Sequence, residues 1–225
     1  MKSRRFPAPR RRRVLIVDDH PIVRKGIAQL LAQEDDLEVC AEAEGYTDTL
    51  RAIETAAPEV VLLDLSLQGA GGLDLLKTVH DRRPRLPVLV VSMHDESLYA
   101  ERALRAGARG YVMKHEAPDR IVAAVRRILS GGIYLSESMS SRLLARAVTP
   151  RTPSSASPVS ALSDRELEIF QLIGKGVGTR QIAERLHLSI KTIETHRAHI
   201  KDKLGVATAP ELIRHAVQWS QQEGR

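Results

Sequence analysis

Four short apolar runs in the first half of the chain each end at a polar residue, and this pattern constrains the fold more than any other feature. The runs cover residues 14–17, 60–63, 88–91 and 111–113, and the polar residues that follow them are Asp18 and Asp19, Asp64, Ser92 and Lys114. Short runs of mostly β-branched and leucine residues between polar breaks are typical of strands buried in a parallel sheet. Because ligands bind beyond the carboxyl ends of such strands, we expect these polar side chains to share one site.

Strand and helix patterns alternate regularly through this half of the chain. A fifth strand is predicted over residues 37–43, and each strand is followed by apolar residues at helical spacing, such as Ile22, Ile27 and Leu30 after the first. Five strand–helix units in about 120 residues predict right-handed crossovers. We therefore predict an α/β domain over residues 14–133, built on a doubly wound, five-stranded parallel sheet.

Charge divides the chain into unequal parts. Residues 1–13 hold seven basic side chains and no acidic one, which predicts a disordered basic arm. Residues 14–133 hold 14 basic and 19 acidic side chains, whereas residues 161–225 hold 10 and 8. Residues 134–160 are predicted to be a linker with one short helix, because their second half is rich in proline and serine. An acidic domain followed by a basic domain indicates that the two domains have different functions, and nucleic acid is a candidate partner of the basic domain.

Several classes of protein are excluded by what the sequence lacks. Cys40 is the only cysteine, which excludes a disulfide framework and a cysteine-rich metal site. No apolar stretch approaches the ~20 residues that a membrane span needs. The basic N-terminus is not followed by the apolar segment of a signal peptide. We therefore expect a cytoplasmic protein that does not contact a membrane.

Three carboxylates at one sheet edge limit the chemistry of the predicted site. Asp18, Asp19 and Asp64 would repel one another if all were ionised, and a hard divalent cation such as Mg²⁺ relieves that repulsion. An ionised carboxylate can then attack phosphorus without a general base. Lys114 would supply a positive charge to a phosphoryl group, and Ser92 would supply a hydroxyl donor. We predict that Asp64 accepts a phosphoryl group, with Ser92 and Lys114 as the other catalytic residues.

Four motifs surround the predicted site: VLIVDDHPIVRKGI, VVLLDLSLQGAGGLDLL, VLVVSMHDE and ARGYVMKHEAP. Together they resemble the receiver domain of bacterial two-component response regulators, over residues 14 to about 131. The resemblance implies a flavodoxin-like fold with Asp64 as the phosphoacceptor. It implies a Mg²⁺ site formed by Asp18, Asp19, Asp64 and the backbone carbonyl of Ser66. It also implies that Lys114 contacts the phosphoryl group, that Ser92 is a switch hydroxyl and that Tyr111 reorients with it.

Two positions depart from the usual receiver pattern. The family usually has Met-Pro where this chain has Leu67 and Gln68, and Pro or Asp is frequent where this chain has His115. Neither change replaces a predicted ligand. Phosphorylation is therefore still expected, whereas its rate and the lifetime of the product stay open.

Residues 161–219 carry helical patterns only. Ser163 followed by Glu166 is the signature of a capped helix start, and two helices at 179–186 and 189–204 flank a short turn. The apolar residues predicted to form the buried stripe of the longer helix are Ile190, Ile193, Ile200 and Leu204. Two helices around a short turn, the second with small and charged residues outward, predict a helix-turn-helix domain.

The motif LSDRELEIFQLIGKGVGTRQIAERLHLSIKTIETHRAHIKDKLGV resembles the LuxR-type helix-turn-helix domain, so the whole chain resembles a NarL/LuxR-type response regulator. The resemblance implies that the helix at 189–204 enters the major groove of double-stranded DNA. We assign DNA contacts to seven of its residues: Lys191, Thr192, Glu194, Thr195, Arg197, Ala198 and Lys201. Base edges are expected for Glu194, Thr195 and Ala198, with a C·G preference at Glu194, and phosphates for the rest.

The last helix carries more apolar surface than a small domain can bury alone. Its apolar residues are Leu212, Ile213, Ala216, Val217 and Trp219. One interpretation is a homodimer formed through this helix, with the receiver as a further contact. The other interpretation is packing onto the first helix of the same domain, and part of the surface must serve that purpose in any case.

These observations predict a bacterial transcription regulator that is not an enzyme. A sensor histidine kinase would phosphorylate Asp64, and the phosphorylated chain would bind DNA as a dimer. For the resting state, our hypothesis is that the acidic receiver covers the basic helix at 191–201, tethered by residues 149–160. Two alternatives are kept. An aspartate-nucleophile phosphatase would need a second carboxylate where this chain has Ser66, and a phosphorylation-independent regulator would have a silent receiver.

Overall fold

A computed structural model describes residues 10–67, 71–116, 118–148 and 158–223. The predicted basic arm up to residue 9, Gln68 in the loop after Asp64, and residues 149–157 of the predicted linker lie outside the described residues.

A five-stranded parallel sheet with helices on both faces forms the first domain. Its strands are β1 (Arg12–Val17), β2 (Leu37–Ala43), β3 (Val60–Leu63), β4 (Val88–Ser92) and β5 (Gly110–Met113). The helices that follow them are α1 (Pro21–Ala32), α2 (Tyr46–Ala56), α3 (Gly72–Arg82), α4 (Glu96–Arg105) and α5 (Pro118–Leu129). The strand order is β2-β1-β3-β4-β5. The chain therefore adds β2 on one side of β1 and then crosses back to add β3, β4 and β5 on the other side. The predicted fold class, including the doubly wound sheet, is confirmed.

The sheet is buried on both faces because alternate residues of each strand point to opposite sides. In β1, Leu15 and Val17 belong to one apolar cluster, whereas Val14 and Ile16 belong to the other. Helices α1 and α5 contribute to the second cluster, and α2, α3 and α4 contribute to the first. The inner strands β3 and β4 are therefore buried along their whole length and consist of apolar residues up to their carboxyl ends, whereas the edge strand β2 also carries Glu38 and Glu42.

The first strand begins two residues earlier than the apolar pattern indicates. Arg12 and Arg13 belong to β1, although the sequence assigned them to a disordered arm. The Arg12 N–H donates to the Asp36 carbonyl at 2.7 Å, and the guanidinium of Arg12 lies 3.2 Å from Glu59. The amino-terminal end of a strand can consist of charged residues when their backbone groups are paired, so hydropathy alone placed the boundary too late.

The segment after α5 is not a uniform tether. Tyr134 pairs with the β5 edge, where its carbonyl accepts the Tyr111 N–H at 2.9 Å. Helix α6 (Glu137–Val148) then packs on α4, and its Met139 is buried. The predicted linker 134–160 therefore starts with residues that belong structurally to the receiver-like domain.

A helical domain follows, formed by a short 3₁₀ turn at Pro158–Ala161 and four helices. These are α7 (Asp164–Gly174), α8 (Thr179–Arg185), α9 (Ile190–Leu204) and α10 (Ala209–Glu223). The predicted cap of α7 is present, because Ser163 accepts the Glu166 N–H while the Glu166 carboxylate accepts the Ser163 N–H. Helix α9 begins at the Ser189 cap and ends at Gly205, whose φ of 67° favours glycine.

The buried face of α9 is narrower than predicted. Ile193 and Ile200 are fully buried against α7 and α8, whereas Ile190 is 43% exposed. Ile190 is the first residue of the helix, so no preceding turn of helix covers it. The prediction that Ile190 is part of the buried stripe was wrong.

The last helix uses only part of its apolar surface inside its own domain. Leu212 and Ala216 are fully buried, and Trp219 lies against Phe170 of α7 with ring centroids 5.6 Å apart. Ile213 remains 44% exposed. Packing on α7 therefore accounts for most of the stripe, and Ile213 is the apolar residue that stays available.

Candidate functional site

The carboxyl ends of three strands bring a lysine between two aspartates. Asp18 follows β1, Asp64 follows β3 and Lys114 follows β5. The Lys114 ammonium lies 2.8 Å from Asp64 Oδ2 and 2.6 Å from Asp18 Oδ2. Both carboxylates are buried, so the ion pairs are shielded from water and strengthened by the low local dielectric.

Burial and pairing act in opposite directions on these groups. Burial raises the pKa of the Asp64 carboxyl above its usual value, and the nearby Lys114 only partly offsets this rise. Burial alone would lower the pKa of Lys114, but attraction to Asp64 and Asp18 outweighs it and raises that pKa. Lys114 therefore stays protonated at neutral pH, as a cation that faces Asp64.

The acidic residues are arranged in a way that fits a divalent cation. Ligand atoms of Asp18, Asp19, His20 and Asp64 all lie within 4.8 Å of one another. Asp64 Oδ1 is buried and has no hydrogen-bond partner among the described residues, which leaves it available as a ligand. His20 is largely exposed, yet its Nδ1 lies 2.7 Å from Asp19 Oδ1. Carboxylate oxygens of this kind suit Mg²⁺, and the backbone carbonyl of Ser66 as a further ligand remains a prediction.

Ser92 and Tyr111, the predicted switch pair, are both buried and both contact His94. Ser92 Oγ accepts the backbone N–H of His94 at 3.2 Å, and the Tyr111 hydroxyl donates to the His94 carbonyl at 2.8 Å. Tyr111 is only 1% exposed, so its ring already lies inside the domain in this structure. The predicted movement of Tyr111 with Ser92 stays a prediction, and its starting point is an inward ring.

His94 links the pocket to the face of α4. Its Nε2 lies 3.2 Å from Ser66 Oγ, and its ring stacks on Tyr99 with centroids 4.5 Å apart. Burial, with smaller contributions from Lys175 and Lys114, lowers the pKa of His94 to about 4. The sequence alone did not predict a role for His94. Its position two residues after Ser92 was the available signal, but its contacts depend on the tertiary fold.

The helical domain docks on the receiver-like domain through α7. Asp164 Oδ2 lies 2.8 Å from the Lys77 ammonium of α3, and Asp164 Oδ1 lies 3.0 Å from the Arg102 guanidinium of α4. The Tyr99 hydroxyl donates to Gln171 Oε1 at 2.9 Å. The ring stacked on His94 therefore also binds the helical domain.

The face of α9 that was predicted to contact DNA is largely open to solvent. Lys191, Glu194, Thr195 and Ala198 are exposed, whereas Thr192, Arg197 and Lys201 are half-buried. The Arg197 guanidinium donates to Thr179 Oγ1 at 3.2 Å, which braces α9 against the start of α8. The hypothesis that the receiver covers residues 191–201 was wrong for this structure. The receiver-like domain holds α7 instead, because the cations of α3 and α4 meet Asp164.

Two family models match the chain and together cover most of it. The response regulator receiver domain matches residues 14–126, and the LuxR family of bacterial regulatory proteins matches residues 160–216.

Several relatives match this chain over nearly their whole length. The oxygen regulatory protein NreC of Staphylococcus aureus is 35% identical over 210 residues, which are 92% of this chain and 97% of NreC. RcsB of Salmonella typhimurium is 28% identical with a TM-score of 0.70, covering 93% of this chain and 98% of RcsB. RcsB of Salmonella enterica serovar Typhimurium, bound to promoter P1flhDC in the presence of phosphomimetic BeF₃⁻, is 28% identical with a TM-score of 0.66. That match covers 91% of this chain and 98% of the RcsB chain.

Within the part of the chain that the structure describes, every helix is too short or too polar to traverse a lipid bilayer.

Proposed function

This chain is a response regulator of the NarL/LuxR type, with a receiver domain and a LuxR-type DNA-binding domain, and we propose that Asp64 is its phosphorylation site. One observation carries the proposal. Asp64 is buried, its Oδ2 pairs with Lys114, and ligand atoms of the acidic pair Asp18 and Asp19 lie within 4.8 Å of it, while its Oδ1 has no hydrogen-bond partner among the described residues. A partner histidine kinase in the bacterial cytoplasm would be the phosphodonor.

In the proposed reaction, a carboxylate oxygen of Asp64 attacks the phosphorus of a phosphohistidine. The new P–O bond forms as the P–N bond breaks, and the histidine leaves with the electron pair of that bond. Lys114, fixed by Asp18 and Asp64, is placed to pair with a phosphoryl oxygen. Mg²⁺ held by Asp18, Asp19 and Asp64 would offset negative charge on the transferred group.

Phosphorylation would change the contacts of Ser92 and His94. A phosphoryl group adds about −1.5 to −2 charge and three strong acceptor oxygens. We expect the Ser92 hydroxyl to turn toward one of these oxygens and to release the His94 N–H that it now accepts. Because the His94 ring stacks on Tyr99, and Tyr99 binds Gln171, the change would weaken docking of α7.

The freed domain would bind DNA as a dimer. Helix α9 would enter the major groove, with Glu194, Thr195 and Ala198 at base edges. Lys191 and Arg197 would be among the residues that contact phosphates. Ile213, the apolar residue of α10 that its own domain leaves exposed, would lie in the contact between the two subunits.

The test is the intact mass of the purified chain after incubation with a phosphoramidate and Mg²⁺. We expect the wild type to gain one phosphoryl group per chain and Asp64→Asn to gain none, because an amide cannot form the acyl phosphate. DNA binding of both samples should then tighten for the wild type alone. A wild type that gains no mass contradicts the proposal, and continuous phosphate release from small phosphate esters would instead indicate a phosphatase.

A further inference from the structure

Arg24, in the first turns of α1, is a buried arginine beside the acidic pair. Its side chain is only 10% exposed, and arginine is rarely so buried unless its guanidinium is fully paired. In the sequence it occupies an ordinary polar position of an amphipathic helix, so the helical pattern gives it no special role.

The guanidinium of Arg24 contacts one backbone carbonyl and two side-chain carboxylates. Its Nη1 donates to the carbonyl oxygen of Asp18 at 2.6 Å. Its Nε donates to Glu42 Oε2 at 3.2 Å, and its Nη2 donates to Glu44 Oε1 at 2.6 Å. One side chain of α1 therefore connects the loop after β1 with the end of β2 and the residue that follows it.

The bond to the Asp18 carbonyl acts directly on the acidic pair. A carbonyl and the N–H of the next residue lie in one rigid plane, so fixing the Asp18 oxygen fixes the peptide that leads into Asp19. Other contacts hold Asp18 itself, since its N–H donates to the Ala43 carbonyl and its Oδ1 accepts the His20 N–H. Of these three contacts, only the one from Arg24 sets the direction in which the chain enters Asp19.

Two glutamates, Glu42 and Glu44, balance the charge of Arg24. An unpaired cation next to Asp18 would compete with a divalent metal for the carboxylates. Glu42 and Glu44 offset that charge, and both are partly exposed. The guanidinium can therefore serve as a donor to the backbone without making the pocket more positive.

We propose that Arg24 is a positioning residue for the divalent cation site. It holds the peptide between Asp18 and Asp19 so that both carboxylates face Asp64 before the cation binds. Pre-ordering of this kind improves affinity because less freedom is lost on binding, and contacts that orient metal ligands commonly change metal affinity by about 10–100-fold. The inference rests on the proposed function, in which these three aspartates bind Mg²⁺.

The test is calorimetric titration of the unphosphorylated full-length chain with MgCl₂, together with thermal unfolding of each variant. We expect Arg24→Met to weaken Mg²⁺ binding about tenfold. Arg24→Lys should weaken it about threefold, because the glutamates draw a single ammonium away from the Asp18 carbonyl. The matched control is Arg126→Met. Arg126 also pairs with two acidic residues, Glu34 and Asp36, but at the opposite edge of the sheet, and its loss should leave Mg²⁺ affinity unchanged.

The outcomes separate this inference from the proposed function. Wild-type affinity within twofold in Arg24→Met and Arg24→Lys, with only a lower unfolding temperature, would show that Arg24 stabilises the fold and nothing more. If Arg24→Met does not fold, the same twofold limit applied to Arg24→Lys decides the question. A wild-type chain that binds no Mg²⁺ overturns the proposed cation site itself, and the inference with it.

Discussion

Neutralising Asp164 should loosen the contact between the two domains. Asp164 is the only carboxylate among the described residues that pairs with cations of both α3 and α4. Asn at this position keeps the shape and can still accept a hydrogen bond, so Asp164→Asn removes the charge with little change in packing. The docked arrangement then loses two ion pairs at once.

The expected size of the effect follows from exposure. Lys77 is 48% exposed, and an ion pair so open to solvent contributes at most about 1 kcal/mol. Arg102 is only 15% exposed, and its charge-assisted hydrogen bond is about twice as strong as a neutral one. Because Asn retains part of each hydrogen bond, we expect a net loss of about 1–2 kcal/mol, which is a factor of about 5 to 30 in the ratio of docked to undocked chains.

Single-molecule energy transfer measures that ratio in the full chain. Donor and acceptor dyes would be placed through Glu54→Cys in α2 and Glu184→Cys in α8, two exposed positions, in a Cys40→Ser background. Asp164→Asn should shift chains from the docked to the undocked distance. The matched control is Arg105→Met, which removes a cation of α4 that pairs with Glu101 on the same helix.

A double-mutant cycle isolates the pair from other effects of the substitution. Asp164 also lies in the first turn of α7, where a carboxylate favours the helix by about 0.5 kcal/mol, and the cycle with Arg102→Met removes that contribution. The reasoning would be refuted if Asp164→Asn shifted the ratio no more than Arg105→Met does. A coupling energy between Asp164 and Arg102 below about 0.3 kcal/mol would refute it equally.

Three further predictions concern DNA binding and pH. Glu194→Ala should relax the C·G preference at one operator position by about 1–3 kcal/mol, seen as a narrower spread of affinities across base-substituted sites. Lys191→Ala should weaken binding to all DNA sequences alike and reduce the slope of log K, the binding constant, against log salt concentration by about one. A loss of affinity confined to one sequence would contradict a phosphate contact. Burial lowers the pKa of His94 from 6.5 to about 4. Between these two pH values His94 is therefore protonated in the unfolded chain and neutral in the folded chain. The free energy of unfolding, measured with urea, should therefore fall by about 2 kcal/mol between pH 7 and pH 5, and by clearly less in His94→Asn. Equal losses in the two proteins would show that His94 does not cause this pH dependence.

The strands and the convergence of polar groups follow from the sequence because both depend on one repeated pattern. Apolar runs that end at Asp18, Asp64 and Lys114 must place these residues at one edge once the strands are parallel, and the structure brings the three side chains into contact. The cap of α7 was predictable for a similar reason, since Ser163 and Glu166 interact across three residues.

What the sequence could not supply are contacts between residues far apart in the chain. Arg24 meets Asp18 and Glu44 only because β1 and β2 are neighbours, and no periodicity reports that pairing. The docking of α7 depends on single charges from α3 and α4, which as isolated residues look like ordinary solvated positions. The overall charges of the two domains suggested that the acidic receiver covers the basic helix α9. Instead, one carboxylate of the helical domain, Asp164, pairs with cations of the receiver, so that α7 is docked and α9 is not.

The open face of α9 has a consequence for how quickly such a regulator can respond. A docked chain that still presents Lys191 and its neighbours to solvent can associate loosely with any stretch of duplex and travel along it by sliding and hopping. Under this arrangement the unmodified molecules would already be spread over the chromosome when a stimulus arrives. The time before promoters are occupied would then be set mainly by phosphorylation of the receiver and by dimerisation. The diffusional search for the operator would add little to it.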